Sequence, residues 1–378
     1  MTYITVKQAP MYHQITMDEL LFGDFKMPAL ISANTSNTKT YAVERVSDKF
    51  LSKIDVIKLV QKLQVFNNST AYLHEVDRKT LYDFFSIPKH HGGFRKISAP
   101  KPELMSALRL LKGIFEQDFG ALYHTTAFAY IYGRSTIDAV KRHQANESRW
   151  FGKFDLHDFF GSTTLEFVMK MFSQIFPFSE IVQFPAGKAE LEKALELAFL
   201  DGGLPQGTPI SPLITNIMMI PVDYKLSNTL RDFHGQKLIY TRYADDFIIS
   251  SRTTFSVGSV QRLIMDTLNE FGATFSLNTS KTRYGSSAGQ NWNLGVMLNK
   301  DNQITVGYKR KRQFQSMLYN YITDRRNGRA WSREDVQTLQ GLFAYYRMVE
   351  RDNIDAIIDH VNRKLHTNVL QCMKQDLA

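Results

Sequence analysis

The sequence predicts an α+β fold built around a carboxylate-bearing strand and a carboxylate-bearing hairpin, with a helical C-terminal end. Three stretches carry this expectation. Trp150 to Phe160 reads Trp-Phe-Gly-Lys-Phe-Asp-Leu-His-Asp-Phe-Phe, an apolar strand that ends in acids. Tyr240 to Ser251 places Asp245 and Asp246 between two runs rich in β-branched and aromatic residues, as at a hairpin tip. From Tyr308 onward, apolar residues recur at helical spacing.

Composition narrows the class. With 43% hydrophobic and 22% charged residues, the 378-residue chain is that of an ordinary globular protein able to bury a sizeable core. Its formal net charge of +9 favours a polyanionic partner over an acidic small molecule. A single cysteine, Cys372, excludes an internal disulfide framework and a cysteine-based zinc cluster, so a reducing compartment is expected. The N-terminus has neither signal nor transit character, and no window approaches a membrane-spanning apolar run. The expected location is cytoplasmic, with no membrane partner.

Residues 1 to 46 read as an N-terminal extension with a polar loop from Ser32 to Thr40. Between Ser47 and Phe66, Leu51, Ile54, Ile57, Leu59 and Leu63 fit a packing helix. Phe84 to Pro100 reads as a basic hairpin carrying Lys89, Arg95 and Lys96 around a turn with His90 and His91; a phosphate grip and a merely solvated face are both open. Pro102 opens a helix with Leu104, Leu108, Leu111 and Phe115 on one face. Arg134 and Ser135 then stand at a loop-to-helix boundary, where either a phosphate contact or a plain N-cap fits.

Asp155 lies at the end of an apolar strand, where a charge is costly unless paired or metal-bound. Thr163 and Glu166 have capping-box spacing for the next helix, and Leu191, Leu195 and Ala198 share a later helical face. Asp201 to Pro212 holds three prolines and three glycines in twelve residues; it must be a shaped loop in which Gln206 has hydrogen-bonding reach. A helical run from Leu213 to Val222 follows, and beyond the hairpin Val257 to Phe271 is an amphipathic helix. Lys281 falls in a loop or edge strand, and Asn293 to Leu298 pairs with Ile304 to Gly307.

The C-terminal helical stripes are Phe314, Met317, Leu318, Tyr321 and Ile322; then Val336, Leu339 and Phe343 behind a Ser332–Asp335 cap; then Ile354, Ile357, Ile358, Val361 and Leu365. Residues 307 to 333 contain eight Lys or Arg against one acid, Asp324. Two adjacent acids at a turn read either as an acidic surface turn or as a divalent-metal site. The constellation favours metal: Asp155, Asp245 and Asp246 together can share two Mg²⁺ ions, the arrangement that serves phosphoryl transfer.

In order, these motifs resemble those of a reverse transcriptase, over roughly Ser47 to Leu365. Tyr-Ala-Asp-Asp (243–246) looks like the catalytic hairpin, Phe-Asp-Leu-His-Asp-Phe-Phe (154–160) like the first acidic motif, and Leu-Pro-Gln-Gly-Thr-Pro-Ile-Ser-Pro (204–212) like the loop beneath the incoming nucleotide. The resemblance implies a right-hand polymerase fold, with fingers over residues 47–150, palm over 151–306 and a basic helical thumb over 307–378. It implies RNA-directed DNA polymerase activity with catalytic Asp155, Asp245 and Asp246, and two Mg²⁺ ions, or Mn²⁺ in their place, held by those acids and by Leu156. Arg95, Lys96, Phe160, Gln206 and Lys281 would bind nucleotide, with Phe160 as the gate against a ribose 2′-OH and Lys281 as the acid toward pyrophosphate. Tyr243, Gly295, Lys309, Arg310, Lys311 and Arg312 would bind primer and template.

Gln-Gly-Thr-Pro-Ile-Ser-Pro and Gly-Arg-Ser-Thr resemble prokaryotic enzymes of the group II intron, retron and phage-defence kind. Asp138 to His143 and Thr305-Val306-Gly307 depart from the usual retron motifs, which favours the defence-associated group. The implied partners are a structured noncoding RNA template, DNA product and dNTPs, with an effector protein or a second copy as further candidates. Template-independent or protein-primed synthesis on the same site is the alternative activity. A catalytically silent RNA-binding scaffold is the alternative of another class.

Overall fold

The computed structural model describes residues 56–88, 93–119, 123–287 and 295–377, together with the backbone of a short antiparallel pair, Ile31–Ser32 with Lys39–Thr40. Apart from that pair, the expected extension over 1–46 lies outside the described residues, as do Ser47, Leu51, Ile54, Lys89, His90 and His91. The chain divides into two compact units: Met1–Arg134 with Gly152–Ile249 and Ser256–Arg283, and Ser135–Phe151 with Ser250–Phe255 and Tyr284–Ala378.

In the first unit, α1 (Val56–Ser69) buries Leu59, Leu63 and Phe66. Ile57, expected in the core, is 71% exposed, because it sits two residues before Leu59 and so on the far side of the helix. Strands β1 (Tyr82–Pro88) and β2 (Phe94–Pro100) form the expected hairpin, in register from Tyr82↔Pro100 to Pro88↔Phe94. Helix α2 (Pro102–Phe119) begins at its proline, whose fixed φ suits a first helical position.

Helix α3 (Thr136–Ala145) opens the second unit and is closed at its start by a capping box: the Ser135 side chain accepts from Asp138 N, and Asp138 accepts from Ser135 N. That is the structural one of the two readings for Ser135. Arg134 is likewise spent internally, donating to the carbonyls of His124, Ala127 and Tyr123 at 2.6, 2.7 and 3.2 Å.

Strand β3 (Trp150–Asp155) is followed by α4 (Leu165–Phe172), and here the cap is Thr164 rather than Thr163. Thr163 is fully buried and its hydroxyl donates to Phe159 O, so the neighbouring threonine accepts from Phe167 N instead. Helices α5 (Pro185–Glu196), α6 (Ser211–Met218) and α7 (Ile220–Arg231) lead to the hairpin β4 (Ile239–Tyr243) and β5 (Asp246–Ser251). After α8 (Val257–Glu270) and β6 (Arg283–Ser286), the sheet order is β4-β5-β3-β6. This order makes β5 the neighbour of β3, which brings the acidic end of one strand to the acidic turn of the other.

The second unit also holds the antiparallel pair β7 (Met297–Leu298) and β8 (Ile304–Thr305) and four helices: α9 (Tyr308–Arg326), α10 (Arg333–Val349), α11 (Arg351–Lys364) and α12 (Val369–Leu377). The three expected stripes pack into one core through Phe314, Leu318, Tyr321, Leu339, Ile354 and Ile358, and Val369 and Met373 of α12 join it. Ser332 caps α10 as expected, accepting from Asp335 N.

His143 of α3 is fully buried, with Nδ1 2.6 Å from Ser250 Oγ, which in turn donates to Ser148 Oγ. Burial, then the neighbouring Arg142 charge, pushes its pKa from 6.5 down to about 3. The unfolded chain therefore takes up a proton near pH 6.5 that the folded chain refuses until about pH 3, so stability is full above pH 6.5 and falls as pH drops through that window. Urea midpoints at pH 7 and 5 should show the wild type losing up to about 1.4 kcal/mol per pH unit more than His143→Gln. Equal pH dependence in the two proteins contradicts the buried neutral imidazole.

Candidate active site

Asp155 ends β3 only 5% exposed, and the turn Ala244–Asp245 meets it backbone to backbone, Leu156 N donating to Asp245 O at 3.3 Å. Asn278 N donates to Asp155 O at 2.7 Å from the other side. Ala244 adopts φ 57°, a left-handed conformation that a non-glycine residue holds only when its surroundings fix it. The three acids are thus set by strand ends and a strained turn. Lys281 Nζ lies 2.9 and 3.1 Å from the two Asp155 oxygens, and Lys153 Nζ lies 2.5 Å from Asp246 Oδ2. Lys281 belongs to a short 3-10 turn, Thr279–Lys281.

The electrostatics of the acids fit a cation. Burial, then the charges of Asp246 and Asp155, push the Asp245 carboxyl up to about 6. Burial also raises Asp246, against the pull of Lys153. Asp246 Oδ1 is buried and has no hydrogen-bond partner. Among the described residues no three His, Cys, Asp or Glu side chains converge into a ready-made metal cage. The two lysine ammoniums stand where positive charge is required, and the hard carboxylate oxygens are the donor type that Mg²⁺ takes. Leu156 contributes main chain beside Asp155, while its side chain is buried.

Around the acids, the Pro-Gln-Gly loop is tied to β2 by Ser98 N donating to Gln206 O at 2.8 Å. Gly207 has φ 117°, and a Cβ there would stand 2.8 Å from Ile97 Cγ2, so the glycine permits the close approach. Ile97 and Arg95 share one face of the hairpin, whereas Lys96 points to the other, since successive strand residues alternate. Arg95 is therefore on the side of the Gln206 loop, and the joint phosphate grip expected of Arg95 and Lys96 is divided between two faces. Phe160 is half-buried against Phe159, ring centroids 5.6 Å apart, and its carbonyl accepts from Leu204 N.

In the second unit the four expected backbone-binding cations divide as well. Arg310 donates to Gly295 O at 2.6 Å, and Gly295 at φ 100° leaves no room for a Cβ beside that guanidinium. Lys311 pairs at 3.0 Å with Glu350, a buried carboxylate that also accepts from Thr305 Oγ1 and Val306 N. Leaving that acid uncompensated would be costly, which accounts for the lysine's direction. Lys309 and Arg312 remain exposed.

Two positions escaped the sequence reading. Lys153 alternates with Asp155 on one face of an otherwise apolar strand, and that isolated cation was the available signal. Arg242, two residues before the turn, is fully buried: Nε and Nη2 donate to Asp223 at 2.8 and 2.7 Å, and Nη1 donates to Asn216 Oδ1 and to Ala244 O. Tyr240 OH donates to the same Asp223. A charge inside a strand that is buried on both sides was the signal here.

The family model described as "Reverse transcriptase (RNA-dependent DNA polymerase)" matches residues 87–314. Among curated proteins, the retron Ec83 reverse transcriptase of Escherichia coli is 28% identical over 303 residues, which cover 78% of this chain and 90% of that enzyme. The E. coli retron Ec73 reverse transcriptase is 29% identical over 54% of this chain and 64% of its own, and the Myxococcus xanthus retron Mx162 enzyme 28% over 77% and 61%. The chain thus spans less than two thirds of these last two relatives. The departures at 138–143 and 305–307, expected to lead away from retron enzymes, leave it similar to them nonetheless. Among solved structures, telomerase from Candida tropicalis in complex with a TWJ fragment of telomeric RNA aligns with TM-score 0.43 at 15% identity, over 79% of this chain and 55% of that one.

Proposed function

Because the chain belongs to the reverse transcriptase family of RNA-directed DNA polymerases, we propose that Asp155, Asp245 and Asp246 hold two Mg²⁺ ions and that this site copies RNA into DNA. The observation that carries the reading is the buried Asp155 at a strand end joined, main chain to main chain, to the Asp245–Asp246 turn. Bound Mg²⁺ supplies positive charge to the attacking and leaving oxygens of phosphoryl transfer. The chain's own residues do the rest. Arg95 meets the triphosphate, Gln206 and its loop lie under the nucleotide, and Phe160 fills the space a 2′-OH would need. The Lys281 ammonium, now on Asp155, is the group with a proton to give to pyrophosphate. Phe160→Ala should raise kcat/KM for rNTPs relative to dNTPs by about tenfold or more, read in single-nucleotide incorporation. Unchanged discrimination removes Phe160 from the gate.

The template in this proposal is a dedicated structured noncoding RNA, and the setting is bacterial antiphage defence. Its support is the family's prokaryotic relatives and the basic density of residues 307–333. Shape and phosphate contacts suffice to hold such an RNA. With Arg310 and Lys311 engaged internally, Lys309 and Arg312 are the cations to neutralise together. Their double glutamine variant should weaken RNA binding and reduce the salt slope by about two. An unaltered slope contradicts a backbone-gripping role. Sequencing the nucleic acid that copurifies from the native host tests the template: one short enriched transcript with its cDNA is expected, and a heterogeneous cellular pool overturns the dedicated RNA.

A further inference from the structure

Residues 123 to 134 form a strap fastened to the catalytic hairpin. Phe128 N donates to Arg242 O at 2.9 Å, and Arg242 N donates to Thr126 O at 2.7 Å. Asn216 Nδ2 donates to Ala129 O at 2.7 Å while its Oδ1 accepts from Arg242. Arg134 closes the strap with its three carbonyl contacts. One buried guanidinium, Arg242, thereby holds both the carbonyl before Asp245 and, through Asn216, the carbonyl before Tyr130.

Tyr130 is what this strap presents. Its backbone is at φ 58°, a conformation seldom kept by a bulky residue, yet the residue is 60% exposed. Strain held by such a network, on an aromatic ring that packs no core, marks a position set for contact with something else. The ring lies 6.4 Å from that of Tyr243, tilted by 41°. Burial, then Tyr243 and Asp245, push its phenol up, and Arg95 pulls it down.

Resting on the polymerase reading above, in which Tyr243 meets the primer, we infer that Tyr130 completes with it an aromatic seat for the 3′-terminal nucleotide. Aromatic faces accept any base or sugar without regard to sequence, which is what a moving primer end requires. A seat beside Asp245 keeps the terminal 3′ oxygen with the acids while Gln206, Phe160 and Arg95 on other elements deal with the incoming nucleotide.

The test compares binding of fluorescein-labelled RNA carrying an annealed DNA primer with binding of the same RNA unprimed, by anisotropy on the full chain without dNTP. Wild type should prefer the primed form. Tyr130→Ala, which keeps a Cβ at the same φ and so the same backbone strain, should lose about tenfold in affinity for the primed form alone, and Tyr130→Phe should retain it. Single-nucleotide incorporation should show KM for dNTP within about twofold of wild type for both variants. Retention of the primed preference by Tyr130→Ala, an equal loss on primed and unprimed RNA, or a loss confined to the KM for dNTP overturns the seat. A wild-type protein that prefers primed RNA but extends no primer refutes the polymerase reading and leaves the Tyr130 comparison still informative.

Discussion

Asp245→Ala and Asp246→Ala should each lower dNTP incorporation by about 10²–10³-fold, the scale on which loss of one preorganised electrostatic group acts. The backbone places both acids, Asp245 by the Ala244 turn and Asp246 as the first residue of β5, and Asp246 also pairs with Lys153. Asp245→Ala therefore deletes a carboxylate on an intact turn, whereas Asp246→Ala also frees Lys153 from its counter-charge. The turn itself is relieved by the substitution, because burial and the adjacent charges of Asp246 and Asp155 already disfavour the Asp245 anion. In the proposed reading, affinity for RNA comes from cations elsewhere and should survive. Single-turnover extension and filter binding on the same preparations separate the two quantities. Full activity in both variants would return the pair to an acidic surface turn, and equal loss of RNA binding would mean that the substitutions unfold the site.

Breaking the Arg242–Asp223 pair should have the largest effect on stability. Both side chains have no exposure, and Tyr240, Asn216 and Ala244 O complete the network. Asp223→Ala leaves a guanidinium buried without its counter-charge, at a cost of about 3–5 kcal/mol in urea unfolding. Replacing both partners with apolar residues, Arg242→Met with Asp223→Leu, removes the stranded charge and should recover much of that loss. The double variant should nevertheless extend primers poorly, because Ala244 O then has no donor and the left-handed turn before Asp245 loses its support. A single variant within about 1 kcal/mol of wild type would contradict the burial on which this rests.

How much the chain announces depends on where its charges fall. That Asp155 lies near Asp245 and Asp246 was legible because acids inside apolar strand patterns need a cation, and the right-hand polymerase class was implied by the resemblance of these motifs and the Pro-Gln-Gly loop to a reverse transcriptase. Helical stripes from Phe314 to Val361 were legible because their period alone fixes the buried face. The partners were not. Lys153 and Asp246 are 93 positions apart, and Lys311 and Glu350 are 39 apart, so no local pattern says that one basic residue faces an acid and the next faces solvent. The same holds for Arg310, whose carbonyl partner at Gly295 lies on a separate turn. Local chemistry could mislead at close range too: Thr163 and Glu166 have capping-box spacing, and only the burial of Thr163 hands the cap to Thr164.

The most direct test of the central claim is extension of a DNA primer on a defined RNA template by the purified chain with Mg²⁺ and labelled dNTPs. The account predicts a product that ends at the template's 5′ end, whose sequence is the template's complement, and that disappears with Asp155→Asn. Product of template-independent length and sequence, or extension undiminished by Asp155→Asn, would contradict it.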